Sequence, residues 1–377
     1  MRVVANVSRA HFSGGMELSV YHTLRGLVAR GHDVHLLYGE SGDLVAEYRT
    51  FCRSVEHVEP WDFFFPESRK RELSERARLL PAAARAARHR PDVYYMQRTL
   101  AATWALDAAL VARAPVVCHW RGGWTPPARY LPRLRRRVSR FLANSEWTRS
   151  KWLAVGFDPA GTEVVYPGMD QADYPRGGEV EMAAAREALG LAPDAFVVTF
   201  VGRLDPVKGV EVLLDAWGRL RLGPDEGALV LVGEPVVHPD PAAYRAQLEA
   251  LAPPGTVRFL GARRDVVTPL HAADVAVVPT VGDEAFGRAV VEGLLTARPV
   301  VGARSGGIPE ILSGPLERFL CQAGDAAELA ERLGSLMGWQ RSEPGLGLAC
   351  VAHVDGRFSV EAMADGVERN LRLATGT

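Results

Sequence analysis

Short apolar runs alternate with amphipathic stretches along the whole of this 377-residue chain, and that alternation is its strongest structural constraint. Parallel strands cannot be joined by a tight turn, so each needs a crossover of helical length. The pattern therefore predicts βαβ units and parallel sheets with helices on both faces. Val3–Val7 reads as the first strand. Glu17 to Arg30 then carries apolar residues at helical spacing and closes at Gly31, a C-terminal helix cap. Further strands are expected at Asp33–Tyr38, Val93–Met96, Val116–His119 and Phe141–Ala143. A second series runs through Phe196–Val201, Ala228–Val232, Val257–Leu260, Val275–Pro279 and Pro299–Gly302. Two such series in a chain too long for one ordinary core predict two Rossmann-like, doubly wound α/β domains facing across a cleft. The stretch Tyr174 to Val180, rich in Pro, Gly and charge, is the boundary candidate.

Composition narrows the class. Apolar residues make up 47% and charged residues 24%, as in ordinary globular proteins. No apolar run approaches the length of a membrane span, and the first strand begins too close to Met1 for a signal peptide. Cys52, Cys118, Cys321 and Cys350 are scattered, which predicts reduced cytoplasmic thiols and no structural zinc. Residues 1–168 hold 25 Lys and Arg against 16 Asp and Glu, and the remainder holds 19 against 29. A basic first half suits an anionic partner, and solvated arginine-rich helix faces explain it equally well. The clusters concerned are Arg69-Lys70-Arg71 with Arg76, Arg78, Arg85, Arg88 and Arg90, and Arg133 with Arg135, Arg136, Arg137 and Arg140. Such patches fit peripheral contact with an anionic membrane or an acidic acceptor. No nucleic-acid partner is expected.

The chain has only three lysines against 41 arginines, and one lysine lies in Val201-Gly202-Arg203-Leu204-Asp205-Pro206-Val207-Lys208-Gly209. This stretch joins a strand to a helix at the carboxyl edge of a sheet, where open α/β folds bind ligands. A guanidinium fork and a compact ammonium on one loop suit a diphosphate, though two solvated surface cations would look the same. A second constellation reads Glu284-Ala285-Phe286-Gly287-Arg288-Ala289-Val290-Val291-Glu292. Gly287 near a helix start leaves backbone N–H groups for an anion, with the helix dipole behind them. Glu292 lies about 9 Å along the axis from Phe286 at 1.5 Å per residue, and Glu284 precedes the helix. Carboxylates on either side of a bound diphosphate match the layout of a nucleoside diphosphate sugar. A retaining glycoside hydrolase needs its two carboxyl groups about 5–5.5 Å apart, closer than this spacing allows, and has no use for a diphosphate cradle.

The E-x-F-G-x4-E stretch resembles the signature of the retaining nucleotide-sugar glycosyltransferases of family 4, which have the GT-B fold. VGRLDPVKG resembles that family's phosphate loop, and Ser13-Gly14-Gly15-Met16-Glu17 its N-terminal glycine loop. Leu27 to Val34, Ala143 to Arg149, Val165 to Asp170, Phe259-Leu260-Gly261 and Ser305 to Glu310 follow in family order, so the resemblance spans residues 1 to about 312. It implies an acceptor-binding domain of residues 1–170 and 357–377, its last helix crossing back, and a donor-binding domain of residues 171–356. It also implies that Arg203 and Lys208 bind the donor diphosphate, helped by backbone N–H groups of Gly15, Phe286 and Gly287, with Gly14 and Ala285 also at the donor. Glu292 would hold the ribose and Glu284 the transferred sugar. Arg263 and Val266 would lie beside the base, and His119 beside the reacting sugar.

Arg288, where an apolar residue is common, adds a cation near the phosphates or lies solvated. A second departure is Ala297, where the family usually has glycine. Trp120, Arg121 and Trp124 are acceptor candidates, with Trp61 and Phe63-Phe64-Phe65 as a further aromatic wall, though ordinary core packing explains the phenylalanine run equally well. The implied reaction is metal-independent transfer from a UDP-sugar to an acceptor hydroxyl. That hydroxyl attacks from the leaving-group face, and a donor phosphate oxygen takes its proton. A nucleotide-sugar epimerase or a non-catalytic sugar-nucleotide binding protein of similar fold are the competing readings.

Overall fold

The computed structural model describes residues 1–11, 15–59, 69–97, 99–122 and 125–377, with the side chains at 69 and 99–104 excepted. The chain divides into two units, Met1–Met169 with Phe358–Thr377, and Asp170–Arg357.

Unit 1 carries β1 (Arg2–Arg9), β2 (Asp33–Glu40), β3 (Ser54–His57), β4 (Val93–Gln97), β5 (Val116–Trp120), β6 (Arg140–Ala143) and β7 (Thr162–Val164). They form one sheet in the order β3-β2-β1-β4-β5-β6-β7, every pair parallel. The order reverses between β1 and β4, which opens a crevice at their carboxyl ends. β4 and β5 are buried along their whole length, as continuous apolar strands between two helical layers must be.

The helix Val360–Thr375 belongs to this unit and packs on the helix Gly15–Ala29. Met363, Val367 and Leu371 enter the same core as Val20, Leu24 and Leu27. The crossing is close because Gly26 has no side chain: a Cβ there would stand 2.8 Å from the Ala364 Cβ. Arg30 and Asp365 pair across the two helices at 2.5 Å.

Unit 2 carries β8 (Phe196–Val201), β9 (Gly227–Val232), β10 (Val257–Gly261), β11 (Val275–Val278), β12 (Val300–Ala303) and β13 (Leu320–Cys321). Their order is β10-β9-β8-β11-β12-β13, again all parallel, with the switch between β8 and β11. The two sequence motifs follow the two strands at that switch: one leaves β8 and the other leaves β11.

Candidate functional site

The loop after β8 is shaped by what it must fit beside. Gly209 has φ 73° and caps the helix Val210–Arg219, and a Cβ there would overlap the Pro279 carbonyl oxygen. Pro206–Lys208 forms a single 3₁₀ turn, with the Lys208 N–H donating to the Asp205 carbonyl at 2.8 Å. Asp205 is 3% exposed, and its carboxylate accepts from the Val236 and Val237 N–H groups at 3.1 and 3.0 Å. The same carboxylate pairs with Arg203 Nη1 at 2.8 Å. Asp205 therefore orients the guanidinium while its own charge is held by the backbone. Sequence reasoning passed over this residue, because a loop aspartate gives no signal until its neighbours are known.

Lys208 Nζ lies 2.6 Å from Glu284 Oε2, and Thr280 Oγ1 donates to the same oxygen at 3.2 Å. The two motifs thus meet at one point. Glu284 is held there from behind by a segment whose role the spacing did not reveal. The Gly307 N–H donates to the Glu284 carbonyl at 2.8 Å, and Ser305 Oγ donates to the Gly282 carbonyl. Gly306 adopts φ 54°, and a Cβ on it would overlap the Glu284 carbonyl oxygen. Gly287, φ 104°, caps the helix Arg288–Leu295, while the Phe286 ring is buried against the core. Ala285 lies between the carboxylate and that cap.

Glu292 is 9% exposed and pairs with Arg288 Nη2 at 3.3 Å. Burial raises the pKa of the Tyr174 hydroxyl, and the neighbouring Glu292 carboxylate adds to the effect. Arg288 is engaged by that carboxylate one helical turn on, so its charge is partly offset. Arg263 is exposed and reaches Asp265 at 3.5 Å, and Val266 precedes the helix Val267–Ala272.

In unit 1, His119 lies on β5 and is fully buried. Its Nδ1 and the Tyr95 hydroxyl are 2.7 Å apart. Burial holds its pKa well below the usual imidazole value, and the Arg121 guanidinium lowers it further against a bond to the Val165 backbone. The ring is therefore neutral near pH 7. Side chains alternate across a strand, so Arg121 shares the His119 face and Trp120 takes the other. Trp120, an acceptor candidate from the sequence, is 4% exposed and stands edge-on to Trp152 at 4.9 Å in the core. Gly15 begins the helix Gly15–Ala29. Gly14, Trp124, Trp61 and Phe63-Phe64-Phe65 lie outside the described residues. Among the described residues no group of His, Cys, Asp and Glu is arranged to hold a metal ion.

Residues 13–173 match the model of Glycosyltransferase Family 4, and residues 195–338 match that of the Glycosyl transferases group 1. The chain belongs to the family 4 glycosyltransferases. It is 33% identical over 220 residues to the D-inositol 3-phosphate glycosyltransferase of Segniliparus rotundus, covering 58% of this chain and 48% of that protein. The enzyme of the same name from Corynebacterium efficiens is 34% identical over 201 residues, 52% of this chain and 47% of the relative. The chain thus spans about half the length of the curated relatives it matches. Anabaena HepE, solved in complex with UDP-glucose, superposes with a TM-score of 0.82 at 23% identity, over 99% of this chain and 100% of that one. Sucrose-phosphate synthase from Thermosynechococcus elongatus gives 0.79 at 20% identity, over 100% and 99%. These likenesses establish the two-domain GT-B fold.

Proposed function

We propose that this chain is a retaining glycosyltransferase that moves a sugar from a nucleoside diphosphate donor, a UDP-sugar, to an acceptor hydroxyl without a divalent cation. The observation that carries the reading is the meeting of Lys208 and Glu284 at 2.6 Å, beside a glycine-capped helix start at the carboxyl edge of a parallel sheet. Arg203, Lys208 and the amides around Gly287 face the growing charge on the departing diphosphate, and such preorganised donors stabilise it without reorganising. Glu284 takes the hydroxyls of the transferred sugar and Glu292 those of the ribose. Arg263 and Val266 border the base. In unit 1, neutral His119 accepts a hydrogen bond from, or donates one to, the reacting sugar and carries no charge of its own. The uridine and glucosyl groups of the HepE ligand, and the phosphorylated cyclitol in the name of the curated relatives, support this class of donor and acceptor.

Peripheral contact with anionic lipid belongs to the same proposal. Arg76 and Arg133 converge on Asp107 at 2.7 and 2.6 Å, and Arg88 pairs with Glu56, which leaves the exposed run Arg135, Arg136 and Arg137 to face lipid. Among the described residues no helix is long and apolar enough to cross a membrane. Calorimetric titration with UDP-glucose, UDP-N-acetylglucosamine and GDP-mannose, followed by turnover with and without candidate acceptors, tests the reading. Donor binding with acceptor-dependent release of nucleoside diphosphate is expected. Sugar inversion within the donor would favour the epimerase, and binding with no turnover the non-catalytic reading.

A further inference from the structure

At the carboxyl edge of the unit 1 sheet, Arg121 is a cation held only by neutral groups. Its Nη1 donates to Gln97 Oε1, and its Nη2 reaches Thr23 Oγ1 and the Tyr95 hydroxyl, each at 3.4 Å. No carboxylate among the described residues pairs with it. Glu17, a buried carboxylate on the helix Gly15–Ala29, makes no ion pair with it either. Most other half-buried arginines of the unit have a counter-ion: Arg30 pairs with Asp365, Arg76 and Arg133 with Asp107, and Arg140 with Glu163.

Two donors at this spot have no partner among the described residues. Arg121 Nε is buried and unbonded, and so is Nε2 of Gln97, a side chain 3% exposed. Gln97 is fixed in place: its N–H donates to Asn6 Oδ1 at 2.6 Å and its carbonyl accepts from Asn6 Nδ2 at 3.2 Å. Because its Oε1 faces Arg121, its NH₂ is committed as a donor. Gln97 is the register partner of His119, so its amide stands beside the imidazole, and Arg121 reaches the Tyr95 hydroxyl that bonds the same ring. A buried donor left unbonded is destabilising, and a desolvated charge without a partner more so. A fixed guanidinium edge with an amide N–H beside it is the complement of a planar or tetrahedral oxyanion.

We propose that the acceptor carries an oxyanion, a phosphate monoester or a carboxylate, and that Arg121 with Gln97 binds it and so sets acceptor specificity. This rests on the glycosyltransferase reading and gives its acceptor a chemical class. The probes are inorganic phosphate and acetate, titrated calorimetrically into protein saturated with UDP so that Arg203 and Lys208 are occupied. Binding to the wild type is expected, weakened at least 10-fold in Arg121→Met, with UDP affinity unchanged. Gln97→Glu serves where Arg121→Met fails to fold. It is nearly isosteric, gives Arg121 an internal counter-ion, and is expected to abolish phosphate binding while keeping or raising Tm. Binding of phosphate alone would assign a phosphate monoester, and equal binding of acetate would admit carboxylates. Absence of binding of either probe to the wild type, or affinities unchanged in both variants, would overturn the proposal. Failure of UDP to bind would instead sink the donor assignment, and the Arg121 variant would still decide the anion site through phosphate alone.

Discussion

Lys208 pairs with Glu284, so a donor phosphate at its ammonium competes with a carboxylate. The charge that builds on the leaving diphosphate during transfer is larger than the charge in the ground state. Lys208→Ala and Arg203→Ala should therefore each lower kcat by about 10²–10³-fold, the usual loss for one preorganised donor. Near-wild-type turnover by both at saturating donor would refute their assignment. The two glutamates should separate in a binding assay. Glu284→Ala should leave UDP affinity intact and depress transfer, whereas Glu292→Gln should weaken UDP and donor together, by about 1.5–3 kcal/mol for a charged hydrogen bond. Glutamine is the better probe at 292, because alanine would remove the Arg288 ion pair and the packing beside Tyr174 and so lower Tm for a structural reason. Equal loss of UDP affinity in folded Glu284 and Glu292 variants would mean the sugar and ribose ends are misassigned. His119 adds a pH dependence. Its folded pKa lies well below the ordinary 6.5, so below that pH the unfolded chain binds more protons. Stability from this group is complete above pH 6.5 and is lost as pH falls toward the folded value. His32, His35 and His89 are depressed in the same direction, each by burial first. His119→Gln should flatten the fall of Tm between pH 6.5 and 5, and parallel curves would show that the imidazole titrates normally.

Among the elements, the segment Ser305-Gly306-Gly307 decides where Glu284 sits. Gly306→Ala meets both a left-handed φ and the Glu284 carbonyl oxygen, so the loop must move or strain by about 1–3 kcal/mol. We expect its donor turnover to fall toward that of Glu284→Ala while UDP affinity changes little. Unchanged turnover would show that the brace is dispensable. The strands show where local pattern suffices. β1, β2, β4, β5, β6, β8, β9, β11 and β12 are legible because burial of most of their residues requires nearly continuous valine, leucine and alanine, whereas β10, a half-exposed sheet edge, is legible from Val257, Phe259 and Leu260 alone. β3 (Ser54-Val55-Glu56-His57) and β7 (Thr162-Glu163-Val164) went unread. Both are sheet edges, where half-exposed polar residues erase the apolar run. β13, two residues long, has too little sequence to carry any period.

For the molecule as a whole, the last helix is a test of how unit 1 is completed. Deleting residues 358–377 would expose the partners of Met363, Val367 and Leu371. At about 1.5–3 kcal/mol for each buried side chain, the loss approaches the whole stability of a typical domain. We expect the deletion to abolish the cooperative thermal transition of unit 1 and to open residues 1–169 to proteolysis. A transition at the wild-type temperature would show that this unit closes without it. The sequence by itself determined the repeating strand–helix order, the two sheets and the loops bearing Arg203, Lys208, Glu284 and Glu292, because periodicity, glycine punctuation and charge type are local properties of the chain. Tertiary structure alone decided the rest. It set which carboxylate faces Lys208, how Asp205 aims Arg203, and that Trp120 belongs to the core while Arg121 and Gln97 are left with unbonded donors. Those outcomes depend on strand register and on loops brought together from 76 residues apart, as for Lys208 and Glu284, and no local pattern encodes such distances.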